Sequence, residues 1–111
     1  MIRAAKDRAS YVELTQLPNV GPATAADLRL LGIRSPAHLV GRDPYAMYDL
    51  LCNVSGKRHD PCVIDVFISV VRFMEGAPAR PWWRYTKERK RHFARSRNTG
   101  KLKRTLDQLP P

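Results

Sequence analysis

Three groups of residues in this chain have the types and spacing for chemistry. The first lies in LPNVGPATAADLRLLGI, residues 17–33, where Pro18, Asn19, Gly21 and Pro22 precede an Ala- and Leu-rich stretch. Four residues of high turn preference cannot continue a helix, whereas Ala25, Leu28 and Leu31 at spacings of three give the following stretch one apolar face. A turn running straight into a helix leaves the first backbone N–H groups without partners, and the helix dipole favours an anion beside them. Pro22 has no N–H, so the donors of such a seat are Asn19, Gly21, Ala23 and Thr24. An anion held by backbone donors is held without reading its sequence. The competing reading is that the turn only packs two helices together.

The second group is basic. Between Arg80 and Arg104 stand eleven Lys/Arg against the single Glu88, and Arg84, Lys87, Arg89, Lys90 and Arg91 form its densest part. Lys57 and Arg58 make a smaller pair. Residues 1–60 carry eight Lys/Arg against six Asp/Glu, so most of the formal net charge of +10 belongs to the C-terminal part. Such a run repels itself without a counter-charge and points to a polyanion, with nucleic acid ahead of an anionic membrane surface. Trp82, Trp83 and Tyr85 sit beside Arg80 and Arg84. All three can stack on unpaired bases, or the tryptophans clamp the chain end onto the body, and burial in a small core favours the clamp.

The third group is Cys52, His59, Asp60 and Cys62. A structural zinc site takes four Cys/His ligands at short paired spacings, and a chain with two cysteines and His38 and His92 far from this cluster does not supply them. Asp60 before Pro61 reads as a helix cap, and each cysteine as a small buried hydrophobe. No acid pair, no Ser/His/Asp arrangement and no phosphate-binding loop ahead of Lys-Ser/Thr is present. We therefore expect no enzyme activity, no metal and no cofactor.

These residues must be positioned by a single small core, since 111 residues suffice for four or five helices. No apolar run approaches a membrane span and MIRAAKDRAS is not a secretory signal, so a cytoplasmic protein is expected, in keeping with so few cysteines. Ser10 with Glu13 reads as a capping box opening a first helix through Leu17, followed by the turn at Pro18–Pro22 and a second helix over Ala23–Leu31. Ser35-Pro36 predicts a short helical turn over Ala37–Leu39, and Asp43-Pro44 a longer helix ending at Gly56. In that helix Met47, Leu50, Leu51 and Val54 are expected to form the buried face. Asp60-Pro61 opens CVIDVFISVVRFMEG, whose β-branched residues also suit a buried strand. Asp65, Ser69 and Arg72 at i, i+4 and i+7 decide for a helix with a narrow polar stripe, stopped by Gly76 and buried at the centre of the bundle. Beyond the APARP linker, residues past about Phe93 are expected to be mobile, with Leu102, Leu106 and Leu109 forming at most a weak amphipathic turn.

The pattern Leu17, Pro18, Val20, Gly21, Ala25 and Leu28, closed by Gly32-Ile33, resembles the helix-hairpin-helix motif of DNA repair and recombination proteins. That resemblance implies that the anion is a DNA backbone phosphate. Asn19 replaces the usual first hairpin glycine, and no Lys or Arg stands near Ala23. Over residues 10–90 the chain also resembles the small bacterial pathogenicity-locus proteins, sometimes called mitomycin-resistance proteins, in HDPCVIDVF and WWRYT above all. Leu51-Cys52-Asn53-Val54 echoes Leu17-Pro18-Asn19-Val20, as a degenerate second hairpin or by chance. As a hairpin, it would bring Lys57 and Arg58 to a second phosphate.

The reading is thus an all-α, compact helix-hairpin-helix (SAM-like) bundle over residues 1–76, with linker, aromatic cluster and basic tail over 77–111. Its expected role is sequence-nonspecific DNA binding as an accessory in repair or damage tolerance; the alternative is a protein-interaction module in which the hairpin is structural. Because Cys52, His59 and Cys62 are read as structural, a chelator should leave the melting curve unchanged. A large loss of stability reversed by zinc would contradict that reading.

Overall fold

In the computed structural model, which describes residues 10–95, the protein is all-α. Four helices carry the fold: α1 (Pro22–Leu30), α2 (Pro44–Ser55), α3 (Cys62–Met74) and α4 (86–95). Short 3₁₀ turns precede them at Leu14–Gln16, Pro36–Leu39 and Trp82–Tyr85, the last running straight into α4. None of the described helices is long and apolar enough to cross a membrane.

The proline signals place the helix starts well. Asp43 accepts a hydrogen bond from the Tyr45 N–H at 2.9 Å ahead of α2, and Asp60 accepts one from the Cys62 N–H at 2.8 Å ahead of α3. Gly56 ends α2 at φ +70°, a conformation that favours glycine. At Ser35 no side-chain cap bond forms, and Pro36 alone sets the turn.

The start of the chain departs from expectation. Instead of a helix from Ser10 to Leu17 there is one 3₁₀ turn, and the cap lies three residues later than the Ser10–Glu13 reading. The Gln16 side-chain oxygen accepts from the Val12 and Glu13 N–H groups, both at 2.8 Å. Those donors are met by a side chain from within the turn, so no earlier helical turn is needed to satisfy them. The face of α2 is also rotated. Met47, Tyr48 and Leu51 are buried, but Leu50 and Val54 are 46% and 50% exposed. Tyr48 takes the inward place because its hydroxyl donates to the His59 carbonyl, so a polar tip can be buried without loss.

Helix α3 is central, as the sequence predicts. Ile64, Phe67, Ile68 and Val70 are at most 1% exposed and pack with Ala25, Leu28, Leu39 and Leu51 from the surrounding elements. Tyr85 enters the same core at 4% exposure, so the segment after Gly76 closes the bundle rather than trailing from it. The clamp is Tyr85 and not, as expected, the tryptophans. Trp82 is half-buried against Trp83, which stays 60% exposed. The expected mobility beyond Phe93 and the amphipathic turn at Leu102–Leu109 fall almost wholly outside the described residues.

Two measurements check this core. Phe67→Ala should cost about 3–5 kcal/mol, well beyond the effect of Lys57→Ala at an exposed site. The Cys62 N–H bond holds the Asp60 carboxyl below its usual range. Its contribution is therefore complete above the ordinary carboxylate pKa and is lost as pH falls through the lowered folded value. Asp60→Asn, followed by melting temperature between neutral and strongly acid pH, should flatten the acid limb of the stability curve.

Candidate functional site

The polar stripe on α3 organises every candidate residue. Asp65 is fully buried, and both of its oxygens are engaged from the C-terminal segment. Arg89 Nε donates to Oδ1 and the Thr86 hydroxyl to Oδ2, each at 2.7 Å. One turn further on, Ser69 donates to the Val66 carbonyl at 2.6 Å and accepts from Asn19 Nδ2 at 3.2 Å. At the exposed end, Arg72 forms a two-pronged pair with Glu88 and lies 5.9 Å from the Tyr85 ring centroid. The stripe is thus a seam that docks α4 along one edge and the 17–22 turn along the other.

That turn has the residue pattern of a type II turn, with Pro18 second and a positive φ third, closed by the Val20 N–H to the Leu17 carbonyl at 3.3 Å. Asn19 has φ +69°, the conformation that the glycine of the common motif would adopt. Its amide also donates to the Arg80 carbonyl at 2.7 Å, which glycine cannot do. Gly21, by contrast, has an extended backbone at φ −98°, so a positive φ is needed at Asn19 alone. A Cβ built on Gly21 meets nothing within 4 Å, so the approach to the N-terminus of α1 is open there. Among the described residues no acceptor faces the backbone N–H groups of Asn19, Gly21, Ala23 or Thr24.

The basic residues divide into two sets. Arg84, Lys87 and Arg91 are exposed without an ion pair among the described residues, and the Asn19–Arg80 bond keeps the turn beside the segment that leads to them. Arg89 belongs with the structural groups. Its side chain is 12% exposed and paired with Asp65, which corrects its place as a freely available cation of the run. Lys57 and Arg58 are exposed in the loop before α3. Arg58, Arg89 and Lys90 come together around a cleft of about 550 Å³ between α2, α3 and α4. Its apolar wall includes Tyr48, Ile64 and Phe93, and Cys52 and Asp49 also line it. No group of three His, Cys, Asp or Glu able to hold a metal occurs among the described residues. Ser55 Oγ lies 2.8 Å from His59 Nε2, a contact that ties the ring to the end of α2. The Asp60 side chain and burial push the Cys62 thiol up, away from the reactive thiolate.

Sequence reasoning singled out the turn and the basic run but missed the cleft and the seam. Their signal was the pairing of a polar stripe on an apolar helix with a downstream Thr86-x-x-Arg89, two polar groups on one helical face.

The fold and these features define a small all-α protein with an open helix N-terminus and a basic C-terminal helix locked to a buried carboxylate. The chain belongs to the Cdd1 family, Pathogenicity locus, whose family model matches residues 7–91. It is 46% identical over 82 residues to the mitomycin resistance protein McrB of Streptomyces lavendulae, an alignment covering 74% of this chain and 78% of that one. No solved structure matches the chain.

The seam carries its own test. Asp65→Ala leaves Arg89 without its buried partner and should cost about 3–5 kcal/mol, whereas Asp65→Leu with Arg89→Met should recover most of it. Trypsin should cut faster after Lys87 and Lys90 in the single variant than in the double. Equal cutting in both would mean that α4 is held by its apolar contacts alone.

Proposed function

We propose that this protein binds DNA through its phosphate backbone without sequence preference, as an accessory in repair or damage tolerance. The observation that carries the reading is the open N-terminus of α1, whose Gly21, Ala23 and Thr24 N–H groups lack acceptors among the described residues. Backbone donors at a helix N-terminus suit a phosphate. The exposed Arg84, Lys87, Lys90 and Arg91 supply long-range attraction, and Lys57 and Arg58 extend it on the loop before α3. The name of the Streptomyces relative, a mitomycin resistance protein, supports damage tolerance as the setting. A membrane surface is a poorer partner, since α4 turns Phe93 inward against Tyr45 and the core and presents Lys87, Lys90, Arg91 and Arg95 outward.

One observation favours a second reading, a protein-interaction module. Leu50 and Val54 stand exposed four residues apart on α2, an apolar strip with no described partner. Docking through such a strip is insensitive to salt, whereas phosphate binding weakens steeply with it.

Gly21→Val tests the first reading, because a Cβ there meets nothing within 4 Å in the fold and the branched side chain stands in the way of a phosphate; circular dichroism should show the fold intact. It should lower affinity for duplex DNA in a gel-shift assay while leaving the salt slope within about one unit of wild type. Lys87→Gln, Lys90→Gln and Arg91→Gln together should weaken binding to duplex, single-stranded and branched DNA alike and flatten the slope. Truncation after Tyr85 is unsuitable, since it strips Thr86 and Arg89 from Asp65. If Gly21→Val has no effect while the triple substitution abolishes binding, the turn is only a connector.

A further inference from the structure

The cleft between α2, α3 and α4 has a build that backbone binding does not use. Its volume of about 550 Å³ falls within the range of small-molecule sites, roughly 300–1,000 Å³. Arg58 and Lys90 share its lining with one carboxylate, Asp49, and with Arg89, whose charge Asp65 balances but whose outer nitrogens can still donate, so the cleft favours an anion. Arg89 is prepared for that task. Asp65 takes Nε at 2.7 Å and fixes the guanidinium, and the terminal nitrogens have no hydrogen-bond acceptor among the described residues. A planar guanidinium fixed from behind presents a fork that matches phosphate oxygens. The rest of the lining, Tyr48, Pro61, Ile64 and Phe93 among it, is apolar and partly aromatic. The Tyr48 hydroxyl is tied to the His59 carbonyl and Phe93 meets Tyr45 edge-on with centroids 5.9 Å apart, so neither ring is free to collapse into the space.

We infer that this cleft receives a single nucleotide, its phosphate among Arg58, Arg89 and Lys90 and its base against the Tyr48–Phe93 wall. An inorganic anion leaves the apolar wall bare, and an uncharged aromatic leaves Arg58, Lys90 and the outer nitrogens of Arg89 unmet; a nucleotide answers both. Its choice over other flat anions rests on the nucleic-acid reading above. The nucleotide comes either free or as an unpaired residue of a strand, because both present the same phosphate and base.

Calorimetry on the full chain separates the parts. Deoxyadenosine 5′-monophosphate should bind saturably, with deoxyadenosine and inorganic phosphate each about tenfold weaker or more. Arg58→Ala and Lys90→Ala, at exposed positions outside the Asp65 pair, should each weaken the mononucleotide about tenfold. In a Cys62→Ser background the mononucleotide should slow alkylation of Cys52 by N-ethylmaleimide, because that thiol lines the cleft. Competition by a duplex with a 5′-phosphorylated overhang, but not by its blunt counterpart, identifies a strand nucleotide. No competition by either identifies the free one, and both results support the cleft. Phosphate binding as tightly as the mononucleotide overturns the inference, as does absence of saturation or indifference to both substitutions. Duplex binding sensitive to Gly21→Val without mononucleotide binding sinks the cleft alone. Mononucleotide binding without duplex binding sinks the backbone reading and leaves the cleft standing.

Discussion

A carboxylate with no exposure to solvent sits in the most apolar helix of this protein, and it must be answered. Asp65 in the middle of α3 is surrounded by Ile64, Phe67 and Ile68, an environment in which an unpaired charge costs several kcal/mol, on the order of a small domain's whole stability. Among the described residues the C-terminal segment supplies the answer, through the Thr86 hydroxyl and the Arg89 guanidinium. The consequence is structural before it is functional. Helix α4 would be an implausible helix by composition alone, with five cations among residues 86–95. Two polar groups one turn apart on its inner face, together with Phe93, give it a fixed seat.

The same stripe reaches the other functional element. Ser69, four residues after Asp65, holds Asn19, and Asn19 holds the Arg80 carbonyl. The turn before α1 and the entry to the basic helix are therefore set by one row of side chains on one helix. The outer member of that row contributes least. Arg72 and Glu88 are 45% and 40% exposed, where screening by water leaves an ion pair of small worth despite its two-pronged geometry. Register along the seam is fixed at Asp65 and Ser69, where the groups are buried.

Much of this was legible beforehand because proline and capping residues act locally. Asp43-Pro44 and Asp60-Pro61 mark helix starts through bonds made two residues away, and Gly56 marks an end through its own φ. Phe67 at the centre followed from the length and apolarity of its helix. The misreadings share a different cause. Leu50 and Val54 fit the apolar spacing as well as Tyr48 does, and only a distant carbonyl, that of His59, turns Tyr48 inward. The tryptophans offered the larger area for a clamp, yet Tyr85 has the position that faces α3. The cleft was invisible because its cations come from two segments some thirty residues apart, Arg58 on one side and Arg89 and Lys90 on the other. Spacing along a chain carries no information about such convergence.

The net charge of +10 is consequently not one quantity. Arg89 is neutralised internally and Arg72 is balanced by Glu88, so neither adds to a long-range field as a free cation does. On α4, Lys87, Lys90, Arg91 and Arg95 remain on the exposed side, and the backbone that carries them is held in place because Arg89 among them is locked. A basic segment held this way differs physically from an unstructured tail. A tail attracts a polyanion and pays conformational entropy on contact, whereas a docked helix has met that cost in folding. Burying one acid in α3 thus does more than stabilise the bundle: it turns part of a self-repelling charge run into a surface of fixed shape, with a cleft on one side and the open turn on the other.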